Sequence, residues 1–250
     1  MVRDANPPLA RRVRGHIALA ESDLEALERL SRDRESAPAG AILLKPREGA
    51  AGALLVQDGW AMCWSSLPTG RRQIVSFVLP GDMVGLTTLI LGHSSEFVSA
   101  ITPVTVSRLR FDAIEDELIL HSGLRRALFW TIAQEATLRS DRLVSLGRRS
   151  ALERVARILL EITLRLRVIQ DDPAPSTGLP LTQPLLADAA GLSQVHVNRT
   201  LKTLRAANLI RGRRLLVDDL RGLARVANVA PGEPLYPLLD YWVGGLGVDQ

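Results

Sequence analysis

Between Gln194 and Lys202 the chain reads Gln-Val-His-Val-Asn-Arg-Thr-Leu-Lys. On a helical wheel at about 100° per residue, Val197, Leu201 and Leu204 fall together, and Val195, Arg199 and Lys202 fall opposite, flanked by Asn198 and Thr203. A helix held by one apolar side and showing cations and a carboxamide on the other suits a DNA major groove. Arg199 has the fork that donates two hydrogen bonds to guanine O6 and N7, and Val195 can only touch a thymine methyl. Asn198 can meet a base or a phosphate. Gln194 and His196 lie at the helix start, where contacts to the DNA backbone concentrate. The candidate base contacts are Val195, Asn198, Arg199 and Gln194, the last also within reach of the backbone, and the candidate backbone contacts are His196 and Lys202. The plain alternative for Arg199 is a solvated or salt-bridged surface arginine.

Such a helix needs elements that hold it. Thr182 can N-cap a preceding helix, with Pro184 in its first turn. Ala187 is small, as close helix crossing requires, Gly191 permits a positive φ at the helix end, and Ser193 caps the next helix. This is a helix-turn-helix layout rather than a plain helical hairpin. Residues 209–217 read as a small β-hairpin, a wing, whose Arg211, Arg213 and Arg214 would hold phosphates without reading sequence. Asp218-Asp219 then caps a last helix, about 220–227.

Upstream, residues 121–147 contain no proline and read as one helix. Phe129, Ile132, Ala136, Arg139, Leu143 and Leu146 follow the alternating three- and four-residue spacing of a two-helix seam, the alternative being a helix packed on its own domain. Arg139 is an awkward seam member unless it pairs across the interface with Glu135 or Asp141. Ser150 and Glu153 form a capping box opening a second helix to about Arg167, with Leu152, Val155, Ala156, Leu159, Leu160 and Thr163 on one face. Residues 170–180 read as loop.

The first half reads as mostly β. The spacing predicts a hairpin of 53–56 and 60–64 about Gln57-Asp58-Gly59. It also predicts a turn at 67–70 and strands at 73–79, 97–101 and 104–109, hence a small sandwich or barrel. Residues 22–35 read as a flanking amphipathic helix.

Composition agrees. The 250 residues are 46% hydrophobic and 23% charged, ordinary for a globular chain and unlike a disordered, collagenous or disulfide-dense one. One cysteine, Cys63, excludes an internal disulfide, a thiolate zinc site or a cysteine-ligated iron–sulfur cluster within one subunit, and fits a reducing compartment. Cys63 reads as a packed strand residue, a redox switch being the sharper alternative. Residues 1–14 hold four arginines and no apolar stretch fit for a signal peptide, and no run reaches the ~18 apolar residues of a membrane span. A cytoplasmic protein without membrane contact is expected. Of the net charge of +4, residues 182–226 contribute +5 against −2 for residues 1–120, the footprint of a phosphate-facing surface. A solvated arginine-rich face is the alternative.

The runs 179–183, Ala-Gly-Leu-Ser (190–193), Val-His-Val-Asn-Arg-Thr-Leu (195–201) and Asn-Leu-Ile (208–210) resemble the DNA-binding domain of the catabolite-activator/Fnr (Crp/Fnr) superfamily of bacterial transcription regulators. Asp-Gly-Trp (58–60), Gly-Arg-Arg-Gln-Ile (70–74) and Leu-Pro-Gly-Asp-Met-Val-Gly-Leu (79–86) resemble its cyclic-nucleotide-binding β-roll. The resemblance spans about residues 15–228. It implies an α+β chain: a β-roll (double-stranded β-helix) sensor with an N-terminal helix at 1–120, a dimerisation helix at 121–147 and a winged helix-turn-helix at 148–250. It also implies a homodimer on near-palindromic double-stranded DNA, with RNA polymerase as a further partner and an effector that the residues do not identify.

Departures narrow this. Members that bind cyclic AMP carry a Glu and an Arg-Ser pair after Gly-Asp-x-x-Gly. Here no Lys or Arg lies between Arg72 and Arg108, so a buried cyclic phosphate has no countercharge. The four Fnr cysteines are missing. His93, His121 and Cys63 are available to haem, but nothing in their spacing selects them, and no cofactor or metal is expected. Val195 stands where relatives often carry a glutamate that accepts from cytosine N4. It predicts weaker choice or a thymine preference. Residues 112–117 (Asp-Ala-Ile-Glu-Asp-Glu) read as a solvated helix cap, a polymerase contact being the alternative. No nucleophile–base set or phosphate-cradling glycine loop occurs, so no enzyme is expected. The rival classes are a cupin-type metalloenzyme, disfavoured by scattered histidines (16, 93, 121, 196), and an interaction module whose helix-turn-helix has lost DNA.

Overall fold

A computed structural model of the chain describes residues 6–47, 52–170, 178–233, 235, 237, 238 and 240. The chain divides into two compact units, one of residues 1–71 and 75–135 and one of 72–74 and 136–250. The loop expected at 170–180 lies largely outside the described residues, as do the start of the arginine-rich N-terminus and most of the tail.

The first unit opens with helices α1 (Pro8–Val13) and α2 (Glu21–Leu30). Asp23 accepts from the Ala20 backbone N–H at 2.8 Å and so closes the first turn of α2. Strands follow: β1 (Arg34–Ala37), β2 (Ile42–Leu44), β3 (Gly52–Asp58), β4 (Ala61–Ser66), β5 (Arg72–Val78) and β6 (Met83–Val84). After helix α3 (Leu86–Leu91) come β7 (Phe97–Ala100), β8 (Val104–Arg110) and helix α4 (Phe111–Leu120). The helix expected over 22–35 therefore ends five residues early, because Arg34 and Glu35 pair as strand with Ser107 and Val106 of β8.

The strands form two four-stranded sheets, β1-β8-β3-β6 and β2-β7-β4-β5. The expected Asp-Gly hairpin is not one. β3 pairs with β8 and β6, β4 pairs with β7, and Gly59 at φ +79° turns the chain from one sheet into the other. A Cβ there would sit 2.1 Å from the Pro103 carbonyl oxygen, so the corner admits only glycine. The turn at 67–70 does join a hairpin: Gly70 N–H donates to the Leu67 carbonyl at 2.9 Å between the paired strands β4 and β5.

Side-chain alternation along β3 explains both cores. Leu54 and Val56 face between the sheets with Cys63, Val78, Val98, Val104 and Val106. Ala53 and Leu55 face the other way, onto Leu9, Val13, Leu27, Ile114, Leu124 and Leu128 of the covering helices. Cys63 is buried on β4, as a packed strand residue.

Helix α5 (Ser122–Arg148) runs 27 residues. In the second unit Ser150 and Glu153 form the expected capping box, at 2.7 and 3.3 Å, and open α6 (Ala151–Gln170). Every residue from Val155 to Leu166 is buried, charges included, so α6 is a central helix and not the one-sided one its apolar spacing suggests. Around it lie α7 (Gln183–Ala190), α8 (Gln194–Ala206), the ribbon β9 (Ile210–Arg211) with β10 (Leu216–Val217), and α9 (Leu220–Val226).

Candidate nucleic-acid interface

The turn between α7 and α8 forms by local chemistry. Thr182 Oγ1 accepts from Leu185 N at 3.4 Å, and Gly191 ends α7 in the left-handed region at φ +64°. Leu192 N–H reaches back to the Ala187 carbonyl at 3.0 Å, and Ser193 Oγ accepts from His196 N at 3.3 Å. These bonds satisfy helix ends that would otherwise be orphaned. Ala187 is buried at the crossing.

Val197, Leu201 and Leu204 anchor α8 in the core, together with Thr200, which the wheel did not single out. Gln194, Val195, His196, Arg199, Lys202 and Thr203 are exposed. Val195 is 71% exposed, a large apolar side chain standing in water on a helix of cations. Arg199 and Lys202 have no ion-pair partner among the described residues. Asn198 is half-buried and its Nδ2 donates to Gln183 Oε1 at 3.4 Å, so it is partly committed within the motif.

In the wing, Arg211 pairs with Leu216 across the ribbon and Val217 with buried Ile210. Arg211 Nε lies 2.7 Å from Asp218 Oδ1. Arg213 and Arg214 are exposed at the tip, with no ion-pair partner among the described residues. Arg205, which the sequence reading passed over, donates from the end of α8 to the Gly212 carbonyl at 3.4 Å and ties the wing to the helix. Its position in the last turn of α8, just before the wing, was the available signal. Asp219 caps α9, accepting from Gly222 N at 2.8 Å.

α5 shows its outer stripe to solvent: Phe129 is 62% exposed and Leu143 72%, with Ile132 and Ala136 also exposed. Ala133 and Val144 widen the stripe beyond the expected members. Arg139 and Leu146 are half-buried, and Leu146 Cδ2 would lie 3.2 Å from a Cβ on Gly191. Asp141, one expected partner for Arg139, is held within its own chain by Arg157, Nε to Oδ2 2.7 Å.

The other sequence candidates are dispersed. His16 stacks on Trp130, His93 bonds the Leu91 carbonyl at 2.9 Å, and His121 lies 3.1 Å from Glu117. The stretch 112–117 lies within α4, where Glu117 takes a two-pronged bond from Arg29 at 3.0 Å. That bond holds the Glu117 carboxyl below its ordinary range. Asp112 is held at about 2 by its bonds from Arg110 and the Ala113 N–H, while Glu115 and Asp116 stay exposed. No described helix is long and apolar enough to cross a membrane.

Two family models match the chain: a cyclic nucleotide-binding domain over residues 34–120 and a Crp-like helix-turn-helix domain over residues 153–226. The chain is 33% identical over 199 residues to the transcriptional activatory protein AadR of Rhodopseudomonas palustris, covering 77% of this chain and 79% of that one. It is also 33% identical over 171 residues to the nitrogen fixation regulation protein FixK of Bradyrhizobium diazoefficiens, covering 66% and 70%. The solved structure of FixK2 from Bradyrhizobium japonicum matches with a TM-score of 0.69 at 28% identity, over 79% of this chain and 98% of that one. With a β-roll, a long helix and a winged helix-turn-helix in that order, and relatives of this identity and coverage, the chain belongs to the Crp/Fnr family of bacterial transcription regulators.

Proposed function

We propose that the protein reads DNA as a homodimer, with α5 of two copies pairing along Phe129, Ile132, Ala136, Arg139, Leu143 and Leu146. Paired about a two-fold axis, the two α8 helices enter successive major grooves about 34 Å apart and read a near-palindrome. Arg199, Val195, Gln194 and Asn198 meet base edges; His196, Lys202, Arg211, Arg213 and Arg214 meet the sugar–phosphate backbone. The observation that carries this reading is the face of α8, where Arg199 and Lys202 stand exposed beside an exposed Val195. Asn198 contributes less than Arg199, since it already bonds Gln183. The apolar stripe on α5 supports self-association, because a soluble chain rarely leaves such a run uncovered.

Binding is coupled to the β-roll through the packing of α5 or the hinge at 147–150. The effector is not a cyclic nucleotide held as a buried phosphate, because the stretch from Gln73 to Ser107 offers no Lys or Arg. RNA polymerase is the further partner; exposed Glu115 and Asp116 on α4 read first as a solvated helix cap, a polymerase contact being the alternative. The protein acts in the cytoplasm, where its template is.

Replacing Arg199 by Ala tests the reading. It is expected to lose about 1–3 kcal/mol on a guanine-containing site and to relax base choice at one position. Unchanged affinity and unchanged preference in a selection from random duplexes would overturn the placement of α8.

A further inference from the structure

Helix α1 precedes both family-matched segments and lies against the β-roll turn at 79–82. Gly81 has φ +87°, and a Cβ on it would fall 2.5 Å from the Pro8 carbonyl oxygen and 3.2 Å from Arg12 Cβ. Arg12 is buried although charged. Its Nη1 pairs with Asp82 Oδ1, and its Nη2 donates to Gln134 Oε1 of α5 at 2.9 Å. The guanidinium carbon also lies 6.0 Å from the ring centre of Trp130, again on α5. Asp82 uses its other oxygen to accept from Leu79 N at 2.8 Å and so shapes the turn. His16, just beyond α1, stacks on Trp130 with ring centres 4.8 Å apart.

Trp130 and Gln134 are four residues apart and share one side of α5. Phe129, Ile132 and Ala133, from the same two turns, are exposed. One buried guanidinium thus holds a turn of the sensor and the inner side of the helix whose outer side is uncovered.

We propose that Arg12 is a positioning residue for self-association: it sets the rotation of the first half of α5 on the β-roll, and with it the angle at which Phe129 and Ile132 meet a second copy. This rests on the reading of α5 as the dimer helix. The physical ground is directionality. The packing of Leu124, Ala127 and Leu128 against the core tolerates small rotations, because apolar contact has no preferred direction. A guanidinium shared between a carboxylate and a carboxamide, with an aromatic ring beside it, does not tolerate them. A buried ion pair is a weak stabiliser beside an apolar replacement, whereas fixing one arrangement is a role such groups do serve.

Two full-length variants test this. Gln134→Leu removes the acceptor on α5 and leaves the Arg12–Asp82 pair whole. The double variant Arg12→Met/Asp82→Asn removes the clasp and leaves no lone buried charge. Gln134→Glu keeps an acceptor oxygen and serves as the rescue. The dimer dissociation constant is measured by sedimentation equilibrium, folding by circular dichroism, and DNA affinity on a bound genomic fragment at several salt concentrations.

Gln134→Leu and the double variant are expected to weaken self-association by roughly tenfold or more with an unchanged spectrum, and Gln134→Glu to behave as wild type. DNA affinity should fall at low protein concentration, with its salt slope unchanged. Dissociation constants within about twofold of wild type in both variants, or a loss that only accompanies unfolding and is not rescued by Gln134→Glu, overturn the clasp while the dimer reading stands. A wild-type chain that stays monomeric overturns the dimer reading and the clasp with it.

Discussion

Arg142 of α5 donates to Glu161 of α6 at 2.6 Å, with both side chains buried. Arg165, one turn along α6, donates to the other carboxylate oxygen at 3.1 Å. Burial by itself would push the Glu161 carboxyl up. The two guanidiniums overcome that and hold it below the ordinary carboxylate range. Charge thereby joins the second half of α5 to the central helix of the DNA-binding unit. A second set lies alongside: Arg157 holds Asp141 of α5 at 2.7 Å and Glu233 beyond α9 at 2.7 Å.

The Glu161 site makes stability depend on acid. Its folded pKa is depressed, so the unfolded chain takes up the proton first as pH falls. The contribution is complete above the ordinary carboxylate range, near pH 4.3, and is lost as pH drops through that range toward the folded value. Glu161→Gln removes a buried carboxylate charge shared by two buried guanidiniums and is expected to lose about 3–5 kcal/mol near neutral pH. Denaturant unfolding at a series of pH values checks both, and a variant as stable as wild type contradicts the assignment.

Val195 offers a gain-of-function test. A glutamate there can accept from cytosine N4, which valine cannot. Val195→Glu should shift preference at one base pair of each half-site toward cytosine by about 1–3 kcal/mol. Sequencing of duplexes selected by each protein reads the change, and identical motifs would remove Val195 from the interface.

The wing arginines should behave differently from Arg199. Arg213→Ala and Arg214→Ala are expected to weaken all sequences nearly equally and to lower the salt slope by about one each. Arg211→Ala should do less, because Asp218 at 2.7 Å already neutralises it in part. Binding titrations across salt concentrations decide, and a change in base preference would sink the backbone assignment.

The outer stripe of α5 should be dispensable for folding of one copy and needed for pairing. Phe129→Ser and Leu143→Ser remove apolar area that a second copy would cover, about 1.5–3 kcal/mol per side chain and twice that in a symmetric pair. Dilution followed by light scattering would show the loss. A dimer of undiminished strength would mean the copies meet elsewhere.

Much of the DNA-binding half was legible residue by residue. Thr182, Gly191, Ser193, Ser150 with Glu153, and Asp219 all stand where their chemistry put them, because a cap bonds a backbone group three residues away and needs no distant partner. Val197, Leu201 and Leu204 were legible for the same reason: one helical period decides which side they share. Val144, exposed beside Leu143, was not, because α5 carries apolar residues on two sides and the spacing alone favours neither.

By itself the sequence determined the caps and turns of the DNA-binding half, since capping, turn glycines and side-chain period act within a few residues. It determined that a cationic helix follows a tight turn, and that the stretch before Arg108 holds no charge for a phosphate. Only the tertiary structure decided that the Asp-Gly turn leads from one sheet to another, because strand partners are chosen by packing and not by the turn between neighbours. Only it decided that Arg12, Arg142 and Glu161 lie inside, because a charge is tolerated there when a partner 70 or 19 residues away arrives to meet it.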